Sequence, residues 1–198
     1  MKKSRVETAE TRRRIVEVAT RAFRTNGIHA TGVAEIMLAA GMTHGGFYRH
    51  FASKDQLVAE ACAAGMEAIV DSVGTAAEGG EEAFLKHIQT FLSDETRDDC
   101  LAGCPLVAMG SELARADMET RRAASQGFRE LIDIIASRGR SSDTPSATGD
   151  AIFMLSTIIG AVTMSRIVDD PELSDLILDE TRKRLTTLCV KPRETSLS

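Results

Sequence analysis

Thr43, His44, Tyr48, Arg49, His50 and Lys54 bring hydroxyl, imidazole and cationic groups close together along the chain. The set holds no nucleophile with an attendant base and no metal-ligand spacing, so its chemistry is recognition. Donors at this density suit DNA, where phosphates accept hydrogen bonds and base edges are read in the major groove. Gly45 and Gly46 add a stretch of bare backbone that can approach a phosphate closely.

Groups of this kind need a rigid mount, and residues 31–54, TGVAEIMLAAGMTHGGFYRHFASK, read as a helix-turn-helix. Thr31 is placed as the N-cap of a first helix whose apolar face is Val33, Ile36 and Ala40. Gly41 fits a turn position that a residue with a β-carbon enters only under strain. Met42 is expected to tuck inward, and Thr43 to cap a second helix over His44–His50. Ser53 and Gln56 form a capping box for the next helix.

The pattern extends on both sides. Arg14-Ile15-Val16, Ala19, Ala22-Phe23 and Gly27 precede it, and Ala30-Thr31, Val33, Glu35-Ile36 and Ala40-Gly41 follow. Gly45, Phe47-Tyr48, His50-Phe51, Ser53-Lys54 and Leu57 complete it. Over residues 12–57 the chain closely resembles the TetR family of bacterial transcriptional regulators. One departure is Gly46, where members often carry a small hydroxyl residue.

The resemblance implies DNA contacts from Thr31, Thr43, His44, Gly45, Gly46, Tyr48, Arg49, His50 and Lys54. Tyr48, His50 and Lys54 resemble the family's phosphate clamps, although His50 also fits a packed or capping role. Thr43, His44 and the backbone of Gly45-Gly46 are then the candidates for base edges. Phe47 and Phe51 read as core. Arg12, Arg13 and Arg14, and an N-terminal arm with Lys2, Lys3 and Arg5, fit either phosphate contact or a solvated surface.

The net charge of -5 looks unsuited to DNA until it is divided. Residues 1–60 carry ten Lys/Arg against six Asp/Glu, and the remainder fourteen against twenty-three. A basic head on an acidic body confines phosphate attraction to the head. No secretory segment is visible at the N-terminus, and the apolar run Ala151–Met164 is short for a bilayer. A cytoplasmic protein without membrane contact is expected. Cysteines 62, 100, 104 and 189 follow no metal or thioredoxin spacing and read as free thiols.

Helical periodicity dominates, giving an all-α chain of about nine helices. The first spans about 8–25, ended by Asn26-Gly27, and a long one spans about 54–76, broken at Gly79-Gly80. Others are expected at about 81–96, 105–116 from Pro105, 117–137 and 147–168, with a ninth after Pro171. Residues 138–150 read as a linker and 190–198 as a disordered tail. The expected domains are a helix-turn-helix head over 8–55 and an effector-binding and dimerisation body over 56–190. The eighth helix is apolar nearly all round and needs a partner; the resemblance implies a homodimer through the eighth and ninth helices.

Phe84, Phe91, Met109, Phe128 and Phe153 fit either plain core or an effector cavity, which the resemblance favours. Cys100 and Cys104 flank a glycine at the entrance to the sixth helix. There a helix N-terminus would lower a thiol pKa, the alternative being an inert packing role. No catalytic motif, metal site or cofactor is expected. The implied function is a repressor that binds a palindromic operator as a homodimer and is released by a small-molecule effector. A cysteine-based redox or electrophile sensor and a DNA-binding factor without ligand are the alternatives.

Overall fold

The computed structural model describes residues 5–99, 104–138 and 145–189. Lys2, Lys3, Cys100, residues 139–144 of the 138–150 linker and the 190–198 tail lie outside the described residues. Among the described residues there is no strand, and the chain divides into two compact units.

The first unit holds residues 5–72 and 104–131. Helix α1 (Arg5–Asn26) turns Ile15, Ala19 and Phe23 inward, spaced at one helical turn. Helix α2 (Val33–Ala39) buries Ile36 and Met37, and a 3-10 helix (His44–Arg49) buries Phe47. The early turns of α3 (Lys54–Glu78) add Leu57, Val58, Cys62 and Met66 to the same core. Helix α6 (Pro105–Leu113) completes it with Val107, Met109 and Leu113, beside the early turns of α7 (Met118–Ser137). Arg12 ties α1 to α3 through a bidentate pair with Glu60 at 2.6 and 2.7 Å. Its guanidinium lies 4.4 Å from the Phe51 ring centre. That engagement commits two of the Arg12 donors to Glu60.

The second unit holds residues 73–99 and 132–189 of the described chain. Helix α4 (Gly80–Phe91) buries Phe84 and Ile88, and Arg182 donates to the carbonyl of Leu92 at its end, 2.9 Å away. The helix expected over 81–96 is broken here. Ser93 turns out of α4 and accepts from the Thr96 amide (3.3 Å), starting a separate short helix, α5 (Asp94–Asp98). Arg166 closes α5 by donating to the carbonyls of Thr96 and Arg97, both at 2.8 Å.

Helix α8 (Pro145–Ile167) begins within the expected linker, because Pro145 suits a first helical turn. It packs on α9 (Pro171–Cys189), and the buried Ser174 hydroxyl donates to the carbonyl of Ser165 (2.7 Å). The inner face of α8 is Ala151, Met154, Leu155, Ile158, Ala161 and Val162. Its outer face leaves Ile152, Phe153, Met164 and Ile167 exposed, and a β-carbon on Gly160 would meet nothing within 4 Å. Ala147–Ile167 is long and apolar enough to cross a membrane by length and composition, beyond the shorter run considered above.

Close packing between α3 and α7 rests on Gly127, where a β-carbon would fall 2.6 Å from Cβ of Met66. Gly127→Ala should therefore lower stability by about 1–3 kcal/mol despite alanine's better helix propensity. Gly110→Ala, in open space, should be neutral or stabilising by about 0.5–1 kcal/mol. Denaturant unfolding of the two variants checks the contrast.

Candidate nucleic-acid interface

The turn after α2 is closed as a Schellman motif. The Met42 amide donates to the carbonyl of Met37 (2.8 Å) and the Gly41 amide to that of Leu38 (2.9 Å). Gly41 adopts φ +74°, the left-handed conformation this closure requires and glycine enters at little cost. Met42 ends half-buried, as expected.

The chain then continues as a 3-10 helix rather than the α-helix expected there. Thr43 is extended and its hydroxyl makes no capping bond; the backbone closes the turn instead, Gly46 N–H donating to the Thr43 carbonyl (2.9 Å). Adjacent glycines weaken α-helical propensity, which suits the shorter, tighter form. Phe47 is fully buried, stacked on Phe51 at 5.5 Å, and Tyr48 meets it edge-on at 5.2 Å. Both phenylalanines are core, as their sequence positions suggest.

With Phe47 turned inward, Thr43, His44, Gly45, Tyr48 and Arg49 are exposed together, Tyr48 to 71 %. Gly46, His50 and Lys54 are half-buried beside them. Lys54 sits at the start of α3, behind the capping box: Gln56 N–H donates to Ser53 Oγ (3.1 Å) and Ala52 N–H to Gln56 Oε1 (2.7 Å). Lys54 Nζ donates to the Ile28 carbonyl at 2.6 Å, leaving it further N–H groups for a phosphate.

Thr31 is a correction on two counts. Gly32, not Thr31, is the N-cap of α2. Thr31 is fully buried, and its hydroxyl donates to the carbonyl of Gly27 (2.7 Å), binding α2 to the end of α1. Its side chain cannot reach DNA from there.

The effector candidates are split between the units. Phe84 is buried and Phe91 half-buried on α4; Met109 is buried on α6 and Phe128 half-buried on α7. Phe153 stands apart: at 57 % exposure it lies on the outer face of α8 rather than among the buried residues of the described chain.

Glu112 was invisible to sequence reasoning. This carboxylate in the last turn of α6 accepts from the amides of Ile28 (3.0 Å) and His29 (2.9 Å) in the loop between α1 and α2. Its only sequence signal is an acidic residue at the helix end that the macrodipole disfavours.

The thiol chemistry is also corrected. Cys104 caps α6, its sulfur accepting from the Leu106 amide at 3.4 Å, but it is buried. Burial outweighs the helix-end amides and pushes its pKa up to about 11. Cys62, also buried, is pushed up to about 11 by burial and by the neighbouring Cys104. Burial of Cys104 favours the inert packing role over a low-pKa thiolate. In a Cys100→Ser/Cys189→Ser background, alkylation of Cys62 and Cys104 at pH 7–8 should be far slower than in denaturant. Equal rates folded and unfolded would contradict this burial.

Comparison with known proteins agrees with the geometry. Residues 15–61 match the model for bacterial regulatory proteins of the tetR family, and residues 81–176 match the LmrA/YxaF-like transcriptional regulator C-terminal domain. An uncharacterised HTH-type transcriptional regulator of Mycobacterium tuberculosis is 28% identical over 182 residues, covering 88% of this chain and 93% of its own. The HTH-type transcriptional regulator LmrA of Bacillus subtilis is 27% identical over 140 residues, covering 67% and 73%. Among solved structures, reduced NemR of Escherichia coli superposes with TM-score 0.76 at 18% identity, covering 89% of this chain and 95% of NemR. A TetR-family regulator from Agrobacterium tumefaciens gives 0.72 at 18%, covering 89% and 98%. The two matched models lie on the helix-turn-helix and on the helical segment that follows it in the chain, and the chain belongs to the TetR family of DNA-binding transcriptional regulators, not to the enzymes.

Proposed function

We propose that this regulator is a cytoplasmic repressor that binds a palindromic operator as a homodimer and is released by a small-molecule effector. The observation that carries the DNA reading is the joint exposure of Thr43, His44, Gly45, Tyr48 and Arg49 on a buried aromatic base. His44 and Thr43 would read base edges. Tyr48, Arg49, His50 and Lys54 would hold phosphates, and Gly45 and Gly46 would let backbone come close. Each head would enter a major groove, with half-sites about one helical turn apart or somewhat more.

The outer face of α8, with Leu173 and Leu176 exposed on α9, supports dimerisation. Isolated apolar side chains are common on surfaces, but a row of them along two packed helices favours a covering partner. The division into a head over 8–55 and a body over 56–190 is proposed from the two separate family matches, over 15–61 and 81–176. Phe84 and Phe91 on α4, and Met109 and Phe128 on α6 and α7, are the candidate effector contacts. An effector that binds better to a body conformation misfitted to the operator weakens DNA binding by linkage.

Selection of bound sequences from random DNA tests the reading, and a palindrome should be recovered. Tyr48→Ala should weaken binding to all sequences alike, whereas His44→Ala should lose about 1–3 kcal/mol of discrimination at particular positions. A uniform effect of His44→Ala across sequences would remove it from the base-reading set. Gly160→Glu or Leu176→Asp, at surface-open positions, should leave the chain folded yet monomeric, as read by light scattering. Dimers persisting in both would place the interface elsewhere.

A further inference from the structure

We infer that Glu112 is a positioning residue for operator recognition, holding the loop between α1 and α2 and with it the pose of the recognition segment. The inference rests on the DNA-binding reading above.

The loop is gripped by side chains from two other helices. Glu112 Oε2 accepts from the Ile28 amide at 3.0 Å, and Oε1 accepts from the His29 amide at 2.9 Å. His29 Nδ1 lies 2.7 Å from the same Oε1. Lys54, from the start of α3, holds the Ile28 carbonyl at 2.6 Å. One peptide segment is therefore fixed by a carboxylate on its N–H side and an ammonium on its C=O side. Thr31 secures the far end through the Gly27 carbonyl, so the loop leads directly into α2 and the recognition turn behind it.

Two features indicate that Glu112 serves the loop rather than its own helix. It lies in the last turn of α6, where the macrodipole opposes a carboxylate. Partial burial also works against its charge, but the amides of His29 and Ile28 and the imidazole outweigh it and hold the carboxyl below its ordinary range. The loop is shaped to receive it: Gly27 sits at φ +85°, and a β-carbon there would fall 2.9 Å from Glu112 Oε2. The chain conformation and the space both call for glycine opposite this carboxylate.

Electrostatics and positioning make opposite demands on the same substitution. Removing a negative charge from the DNA-binding unit tightens binding if only phosphate attraction is at work. If Glu112 positions the head, specific binding falls instead, and half-site spacing is read less strictly because each head is less firmly oriented.

The test uses the full-length protein and the palindrome it selects. Glu112→Ala should bind that palindrome about tenfold or more weaker, within the usual range of coupling between linked sites. Binding to random duplex at low salt should be equal or tighter. The preference for the selected spacing over one changed by about two base pairs should shrink. Glu112→Gln, which keeps the shape and one acceptor oxygen, gives the same direction with a smaller loss and decides the matter if the alanine variant is poorly folded. His29→Ala, which leaves both amide bonds, should change little. Unaltered or tighter operator binding with intact spacing preference in Glu112→Ala and Glu112→Gln overturns the inference. So does an equal loss on operator and random DNA. If the unmodified protein enriches no sequence at all, the operator reading itself fails.

Discussion

The recognition surface depends on the burial of Phe47. A six-residue 3-10 helix containing two glycines has too few internal hydrogen bonds to hold itself together in water. Phe47 lends it the stability of the core by stacking on Phe51, which in turn lies under the Arg12 guanidinium paired with Glu60. One aromatic anchor thereby fixes the rotation of the whole segment. With Phe47 inward, its neighbours Tyr48 and Arg49 and the preceding Thr43 to Gly45 face outward. The Schellman closure at Gly41 sets where the segment starts, and the capping box at Ser53 and Gln56 sets where it must end.

Much of this was legible in the residues because it depends on local chemistry. Gly27, Gly41, Gly79-Gly80, Pro105 and Pro171 punctuate the helices where turn and cap preferences place them. The buried residues of α1, Ile15, Ala19 and Phe23, recur at one helical turn, a spacing visible in the sequence. What was misread depends on packing and bonding that residue type alone does not show. Thr31 has the composition of an N-cap, but its hydroxyl is spent on the carbonyl of Gly27 and the capping position falls to Gly32. The break after Phe91 is set by Ser93 and stabilised by Arg182 and Arg166 from helices far along the chain. Phe153 has the right type for a cavity, yet periodicity cannot say which side of an all-round apolar helix is covered.

Cys104 shows how magnitudes decide between two valid local arguments. A helix N-terminus does favour a thiolate, and the Leu106 amide does reach the sulfur. Desolvation acts on the same atom in the opposite direction and is larger, so the pKa rises. Nothing in the spacing of residues 100–105 reveals how deeply the sulfur is packed. The residue acts as a cap that tolerates burial, placed at the junction of α3 and α6.

Charge distribution bears on how such a regulator can be released from DNA. The first sixty residues carry only a modest excess of positive charge, and the rest of the chain is acidic. Non-specific attraction, which grows with the number of phosphates neutralised, is then limited. In the proposed homodimer, specific affinity would come mainly from geometry: the fit of a short, anchored segment in the groove and the spacing of two heads. Binding energy that depends on geometry is sensitive to small displacements, whereas binding that depends on charge is not. In the proposed release, a body conformation that shifts the heads slightly would therefore weaken operator binding without any charge having to change.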